Sequence, residues 1–546
     1  MEKPWLLQYR DEFPAEITAR FVNGLAMLDA AVASHPDVPA IRYFDGAMTF
    51  IEIAEAADAL AVQLIADGFQ PGDRLAVFTQ NDPAFVIALL AAWKAGGVAV
   101  PVNPMNQVGE LRHILTDSGA TALVSLDYLY RDVAQEVILD AGSSVATVVT
   151  FSDRDFQSRD DFRVLSPDRA DSIDTTIDLL DVVRRLAGRK PPAVALRPGD
   201  AATITYTSGT TGRPKGAINT HRNLMMNATT LREWSELRPG DAVLAMAPLF
   251  HITGLVAHVM LALMSRSELI LTHRFHPEVT LEAIRESRPT FTVGAITAFI
   301  ALANAEGVER SDFDSFTHVY SGGAAIPPAV ADEFEAEFGV YIHNAYGLTE
   351  TSSVTHFVPF GRRAPVDENS GALSIGVPVS STLAWIVDES GAPLAPGQIG
   401  ELIIAGPQVT PGYWRNAAAT AETLPDGELR TGDIAFMDED GWFYIVDRKK
   451  DMINASGYKV WPREVEDAIY SHAAVREAAV VGVPDPYRGE TVRAYVSLTD
   501  KDVGADEIVE HCKRLLAAYK YPREVVILDE LPKTASGKIL RRELRQ

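Results

Sequence analysis

The chain of 546 residues has a single cysteine, Cys512. No intrachain disulfide can form, and a metal site built on paired thiolates is excluded. Positive charge is also scarce, with 49 Lys and Arg against 74 Asp and Glu and a net charge of −25. A phosphate backbone needs a broad basic face, so no nucleic-acid partner is expected. Long apolar runs are missing too. Residues 85–102 carry Lys94 and a glycine pair, and residues 252–264 are broken by His258. Neither run reaches the ~20 apolar residues that a membrane-spanning helix needs. The start, MEKPWLLQYRDEFPAEI, is charged and interrupted by proline, unlike a secretory signal. The expectation is a soluble protein of a reducing, cytoplasmic compartment.

What is present is an ordinary globular balance, 47% hydrophobic and 23% charged. The length exceeds one compact domain of ~100–200 residues. In the first half, short β-branched runs alternate with amphipathic helical runs. Residues 74–81 (RLAVFTQN) read as a buried strand. Asp82-Pro83 then opens a helix that ends at a glycine pair. Residues 98–102 and 122–125 read as further strands, with a helix at 110–117 between them. This alternation predicts parallel sheet layers covered by helices. Residues 152–190, rich in Asp, Arg and Ser, read as a surface excursion. From Leu383 onward, Gly and Pro punctuate short alternating runs, which predicts a small antiparallel barrel or sheet. After Lys449-Lys450 the pattern changes to helix 462–471, strands 478–483 and 494–498, and helix 506–519. Cys512 shares that last helix with Ile508, Val509, Leu515, Leu516 and Tyr519, a core setting rather than a reactive one. The fold class is thus α/β, with a large multi-layer domain over residues 1–449 and a small α+β domain over 450–546.

The strongest chemical signal is Tyr206-Thr-Ser-Gly-Thr-Thr-Gly-Arg-Pro-Lys215-Gly216, placed after the strand-like run ATITY. Glycine lets backbone N–H groups approach phosphate oxygens, the hydroxyls donate further hydrogen bonds, and lysine adds charge. A plain Ser/Thr/Gly turn is the bland rival. The spacing is not that of a Walker A loop. A GxSxG elbow and an HExxH helix are both lacking, so neither a hydrolase nor a zinc protease is supported.

That loop resembles the signature of the adenylate-forming superfamily, whose members include acyl-CoA synthetases, aryl-CoA ligases, luciferases and peptide-synthetase adenylation domains. Further segments match in the same order along nearly the whole chain. They are Pro248-Leu-Phe-His-Ile-Thr-Gly254, Ser321-Gly-Gly-Ala-Ala-Ile-Pro327, Asn344-Ala-Tyr-Gly-Leu-Thr-Glu350, Arg430-Thr-Gly-Asp433, Asp447-Arg448-Lys-Lys-Asp and Pro532-Lys-Thr-Ala-Ser-Gly-Lys538. Residues 291–300 lack the double-proline wording usual near the acyl wall.

The resemblance implies ATP-dependent activation of a small-molecule carboxylic acid, followed by transfer to coenzyme A. Nucleotide contacts carry over to Thr207, Ser208, Gly209, Thr210, Thr211, Gly212 and Lys215 in the first loop. They carry over equally to Gly323, Ala324 and Ala325, to Asn344, Ala345, Tyr346, Gly347 and Thr349, and to Asp433, Ile445 and Arg448. Tyr346 suits a flat base. Asp433 suits paired ribose hydroxyls. Glu350 suits Mg²⁺, which takes one or two carboxylates with phosphate oxygens. Taken alone, each has a bland rival: a core tyrosine, a turn aspartate, a solvated glutamate.

Lys538 would bridge the carboxylate and the α-phosphate, where negative charge develops. His251 would line the acyl site with Phe250, Thr253, Thr297, Gly322, Gly347 and Val354. Thr207, Glu350, His251 and Lys538 are the residues expected to serve the reaction directly. Ser456, Gly457, Tyr458 and Lys459 resemble the loop facing the pantetheine tunnel, and Arg488 and Lys520 are candidate coenzyme A phosphate partners. Lys450 stands at the hinge about which the family's small domain rotates. The wording of DRKKDMI, SGYKVWP and the chain start is most similar to fatty acyl-CoA ligases, so a medium- or long-chain fatty acid is expected, with an aromatic acid as the nearest rival. Two other readings stay open: delivery to a carrier-protein thiol, and a non-catalytic nucleotide-binding homologue. A homodimer is compatible with the sequence.

Overall fold

The computed structural model describes residues 2–10, 13–167, 175–207, 213–368, 371–448, 451–455, 458–485, 489–500, 502–534 and 537–545. Among them four sheets form.

The first sheet has seven strands in the order Ile177–Asp178, Thr147–Phe151, Ala122–Leu126, Arg74–Phe78, Val98–Val102, Ala201–Tyr206, Gly216–Thr220. All neighbours are parallel except the last pair. Its strands read as continuous apolar runs because helices cover both faces. The helix Pro83–Lys94 is buried from Pro83 to Trp93, and Asp82 caps it by accepting from the Phe85 N–H. Each large apolar side chain placed there contributes roughly 1.5–3 kcal/mol.

The second sheet has nine strands, with a parallel centre running Pro39–Tyr43, Glu268–Leu271, Ala242–Leu244, Phe291–Gly294, His318–Gly322, His343–Leu348. One hydrophobic core spans both of these sheets. Asn81 and His273 join them by a pair of backbone hydrogen bonds, at 2.7 and 3.1 Å. In open α/β sheets ligands gather beyond the carboxyl ends of the strands. Here those ends carry Tyr206, Gly322 and Leu348.

Residues 383–448 supply a four-stranded antiparallel sheet, as the turn-punctuated sequence predicts. The small C-terminal unit has its own sheet of five strands, in which Val475–Asp485 and Gly489–Leu498 form a long hairpin. A separate apolar cluster, including Ile453, Val465, Ile508 and Cys512, lies beneath it. Burial pushes the Cys512 thiol up to about 11, so it is an inert core group.

Three expectations need correction. The helix expected over 506–519 spans Ala505–Leu515, and Leu515 is 56% exposed rather than part of the core. The long hairpin strands begin earlier than the sequence runs indicate, because polar residues such as Glu477, Glu490 and Thr491 pair across the hairpin. Residues 152–167 and 175–190 are not simply a surface excursion. Asp153, Asp155, Val164 and Leu165 are buried, and Leu179 and Val182 pack inward from the helix Leu179–Arg185. Charged residues mislead at that segment because their partners, among them Tyr43 and His273, lie far away in sequence.

Candidate active site

The segment 248–254, expected from the sequence to meet the acyl group, is held from a distance. Asn81 donates from Nδ2 to the carbonyls of Ala245 (3.1 Å) and Ala247 (3.3 Å), and its Oδ1 accepts from the Leu249 N–H at 2.8 Å. All are buried, so a side chain lacking these groups would leave orphaned backbone partners. His251 then begins the short helix Ile252–Gly254, accepting on Nδ1 from the Thr253 N–H at 3.3 Å. Burial, and next the Lys538 ammonium, push this imidazole down to about 4, so it is neutral at pH 7. A π-helical stretch, Leu255–Met260, follows and is wholly buried. Such irregular turns are frequent beside functional sites.

Lys538 comes to this point from the C-terminal unit. Its loop is a tight hairpin in which the Thr534 N–H donates to the Lys538 carbonyl (2.7 Å) and the Lys538 N–H to Thr534 Oγ1 (3.1 Å). Gly537, at φ +80°, offers its carbonyl to Thr297 Oγ1 at 2.9 Å. A Cβ on Gly537 would stand 2.8 Å from that same oxygen, so only glycine permits this docking. The structure therefore brings Lys538, His251 and Thr297 together. Phe250 and Thr253 are half-buried nearby in sequence, and Val354 is buried. Gly322 pairs with Ala345 on the adjacent strand.

At the other end, Tyr346 lies on the strand His343–Leu348 and donates from its phenol to Asp433 Oδ2 at 2.6 Å. Its ring meets His356 edge-on, with centroids 5.6 Å apart. Asp433 is 4% exposed and is paired in register with Arg448. Gly323, at φ +80°, and Ala325 are exposed, and Ala324 is half-buried, so this loop presents backbone to solvent. Asn344 instead faces inward, donating to the Ser374 carbonyl at 3.1 Å. Gly347 has no room for a side chain, since a Cβ would fall 1.9 Å from the Ser353 carbonyl oxygen. The turn Thr349–Thr351 that follows is strained: Ser352 and Ser353 have φ +50° and +96°. Asn219 and Asn227 hold it. Asn219 donates to the Thr349 carbonyl at 3.0 Å, and Asn227 to the carbonyls of Thr351, Ser352 and Val354 at 2.8–3.1 Å.

Glu350 sits on that strained turn. Its carboxylate accepts from the Tyr413 phenol at 2.5 Å. Lys215 stands over the Tyr413 ring, 5.2 Å from its centroid, and the Thr207 N–H donates to the Lys215 carbonyl at 2.9 Å. Ser208, Gly209, Thr210, Thr211 and Gly212 lie outside the described residues. No group of three or more His, Cys, Asp or Glu able to hold a metal gathers among the described residues. A lone carboxylate of this kind fits Mg²⁺ that brings most of its ligands as phosphate oxygens and water.

The C-terminal unit also reaches Ile445, one of the residues expected to contact nucleotide. Arg463 donates to the Ile445 carbonyl at 2.8 Å. Lys520 is ion-paired with Glu464 and stands over Tyr519, so its charge is already engaged. Lys450, Ser456, Gly457 and Arg488, and the side chains of Arg448, Tyr458 and Lys459, lie outside what the structure describes. Sequence reasoning missed Asn81, Asn219, Asn227 and Tyr413. Only Tyr413 carried a visible signal, as an aromatic in a Gly-Tyr-Trp turn.

Comparison with known proteins identifies the family. The family model for AMP-binding enzymes matches residues 28–414, and the model for the C-terminal domain of AMP-binding enzymes matches residues 464–538. The chain belongs to the AMP-binding enzyme family. Its curated relatives include a long-chain-fatty-acid–CoA ligase of Bacillus subtilis, 37% identical over all of this chain and 98% of the relative. A feruloyl-CoA synthase of Amycolatopsis is 35% identical over 94% of this chain and 96% of its own length. Among solved structures, a benzoate CoA ligase from Burkholderia xenovorans superposes with a TM-score of 0.83 at 27% identity, covering 96% of this chain and all of that one.

Proposed function

We propose that this protein activates a long-chain fatty acid with ATP and passes the acyl group to coenzyme A. It is an AMP-forming acid–CoA ligase. The observation that carries the site reading is the docking of the Lys538 loop on Thr297, beside neutral His251 of the acyl segment. A fatty carboxylate lying there would meet an ammonium rather than a second anion.

The chemistry then follows from charge. A carboxylate oxygen attacks the α-phosphorus of ATP, the bond to the bridging oxygen breaks, and pyrophosphate leaves. Lys538 stabilises the negative charge shared between the two anions. Lys215 and the loop from Thr207 hold the outer phosphates. Tyr346 packs on the base, and Asp433, released from the Tyr346 phenol, accepts from the ribose hydroxyls. Glu350 would hold Mg²⁺, which supplies neutralisation of phosphate charge. His251, uncharged, closes the acyl end without competing for the carboxylate. In the second step a thiol attacks the acyl carbonyl, AMP leaves, and the thiol proton passes to solvent. Here residues 450–546 act as a mobile domain turning about Lys450, so that Lys538 withdraws and the stretch from Ser456 to Lys459 enters.

The fatty-acid assignment rests on the full-length relatives that are 36–38% identical and named as long-chain-fatty-acid–CoA ligases. An aromatic acid is the second reading, favoured by the 35% identical feruloyl-CoA synthase. Pyrophosphate release across saturated fatty acids, ferulate and benzoate, with and without coenzyme A, separates the two. Long-chain acids should give release, with multiple turnovers only when coenzyme A is present. Preference for ferulate or benzoate would overturn the assignment.

A further inference from the structure

We infer that Tyr413 is a positioning residue that ties the phosphate-loop lysine to the metal-facing carboxylate, so that Lys215 and Glu350 are set as one unit before ATP arrives. The inference rests on the nucleotide reading of this site and adds a residue to it. Tyr413 is 7% exposed and touches both charges at once, with its phenol on Glu350 Oε1 at 2.5 Å and its ring 5.2 Å beneath the Lys215 ammonium. A phenol carries one O–H donor, and here that donor is spent on Glu350.

The segment around it is stitched to the same two elements by backbone. The Thr410 N–H donates to the Glu350 carbonyl at 2.7 Å, the Ile218 N–H to the Gly412 carbonyl at 3.0 Å, and the Trp414 N–H to the Gly216 carbonyl at 2.7 Å. The Tyr413 N–H donates to Thr420 Oγ1 at 3.0 Å, which anchors the ring's own backbone to the helix Ala417–Thr423. A carboxylate engaged on one oxygen by a rigid phenol has a set orientation, and an ammonium over a ring face has a preferred lateral position. Lys215 and Glu350 lie far apart in sequence, and Tyr413 is in contact with both. A direct Lys215–Glu350 pair would neutralise both groups needed for phosphate and metal.

Two substitutions separate the contacts. Tyr413→Phe removes the hydrogen bond and keeps the ring, and Tyr413→Leu removes both. Calorimetric binding of a non-hydrolysable ATP analogue, titrated over a series of Mg²⁺ concentrations, reads the site without turnover. Thioester formation from supplied acyl-adenylate reads the step that uses no triphosphate. Tyr413→Phe should raise the Mg²⁺ concentration for half-maximal binding about 10-fold while leaving the thioester step unchanged. Tyr413→Leu should in addition weaken analogue binding at saturating Mg²⁺. Wild-type Mg²⁺ dependence in both variants would overturn the inference, as would equal losses in binding and thioester formation with a lowered melting temperature. If the wild type binds the analogue but activates no acid, the functional reading fails and the calorimetric result on Tyr413 still stands.

Discussion

The segment expected to hold the nucleotide and the one expected to hold the acyl chain are both clamped by buried asparagines, yet what is clamped differs. The expected nucleotide end consists of short polar loops at strand ends, with backbone strain at Ser352 and Ser353 held by Asn219 and Asn227, which reach it from the strand Gly216–Thr220 and the helix His221–Ser235. The acyl end is an apolar segment placed by one buried side chain, Asn81, which comes from the other sheet. A strained turn that is held in this way keeps the Glu350 carboxylate and the neighbouring hydroxyl groups preorganised, which an electrostatic step would reward. In the proposed reading the only charge at the acyl end is the carboxylate that meets Lys538, and the rest of that segment serves as an apolar wall.

Breaking each end should therefore give different signatures. The largest effect is expected where the two ends meet. Lys538→Ala should lower adenylation by on the order of 10²–10³-fold while sparing thioester formation from supplied acyl-adenylate. Gly537→Val should do nearly the same, because its Cβ and φ +80° evict the loop from Thr297. Equal loss in both half-reactions would remove Lys538 from the first step.

Next in size are the two asparagine clamps. Asn227→Ala orphans three carbonyls on the strained turn and should raise KM for ATP more than KM for the acid. Asn81→Ala should do the reverse, raising KM for the fatty acid. Each should cost about 1–3 kcal/mol of stability, readable by chemical denaturation. Identical KM patterns for the two variants would erase the contrast between the ends.

A smaller, global effect is expected from pH. His221, His251, His258, His273, His318, His343 and His356 are all pushed down to about 3 or 4 by burial. In the unfolded chain they take up protons near pH 6.5. Their contribution is complete above that value and is lost as pH falls toward 4, because the unfolded state then binds more protons. Asp82, Asp153 and Asp467, raised to about 8, 6 and 7, act in the opposite sense over the same window but are fewer. The melting temperature should fall between pH 6.5 and 4.5, and a flat profile would contradict this.

The contrast between contiguous loops and the distant asparagines that clamp them explains what was legible in the sequence. Local devices write themselves into contiguous residues. The capped helix at Pro83, the strand Val98–Val102 and the glycine-bearing loops near Tyr346 and Lys538 could all be placed from the chain alone. Asn81, Asn219 and Asn227 could not, because a buried asparagine looks like any polar residue until the carbonyls it serves are known. Lys520, read from the sequence as a candidate coenzyme A phosphate partner, is paired with Glu464 across 56 residues. Leu515 followed the apolar rhythm of its helix but falls at the end of it and faces solvent.

The central claim is that a fatty carboxylate attacks the α-phosphorus of ATP in this site. Incubation with a long-chain fatty acid labelled with heavy oxygen in its carboxylate, together with ATP and coenzyme A, tests it directly. The account predicts AMP carrying one labelled oxygen, pyrophosphate without label, and the acyl thioester. Unlabelled AMP, or ADP and phosphate as products, would contradict it.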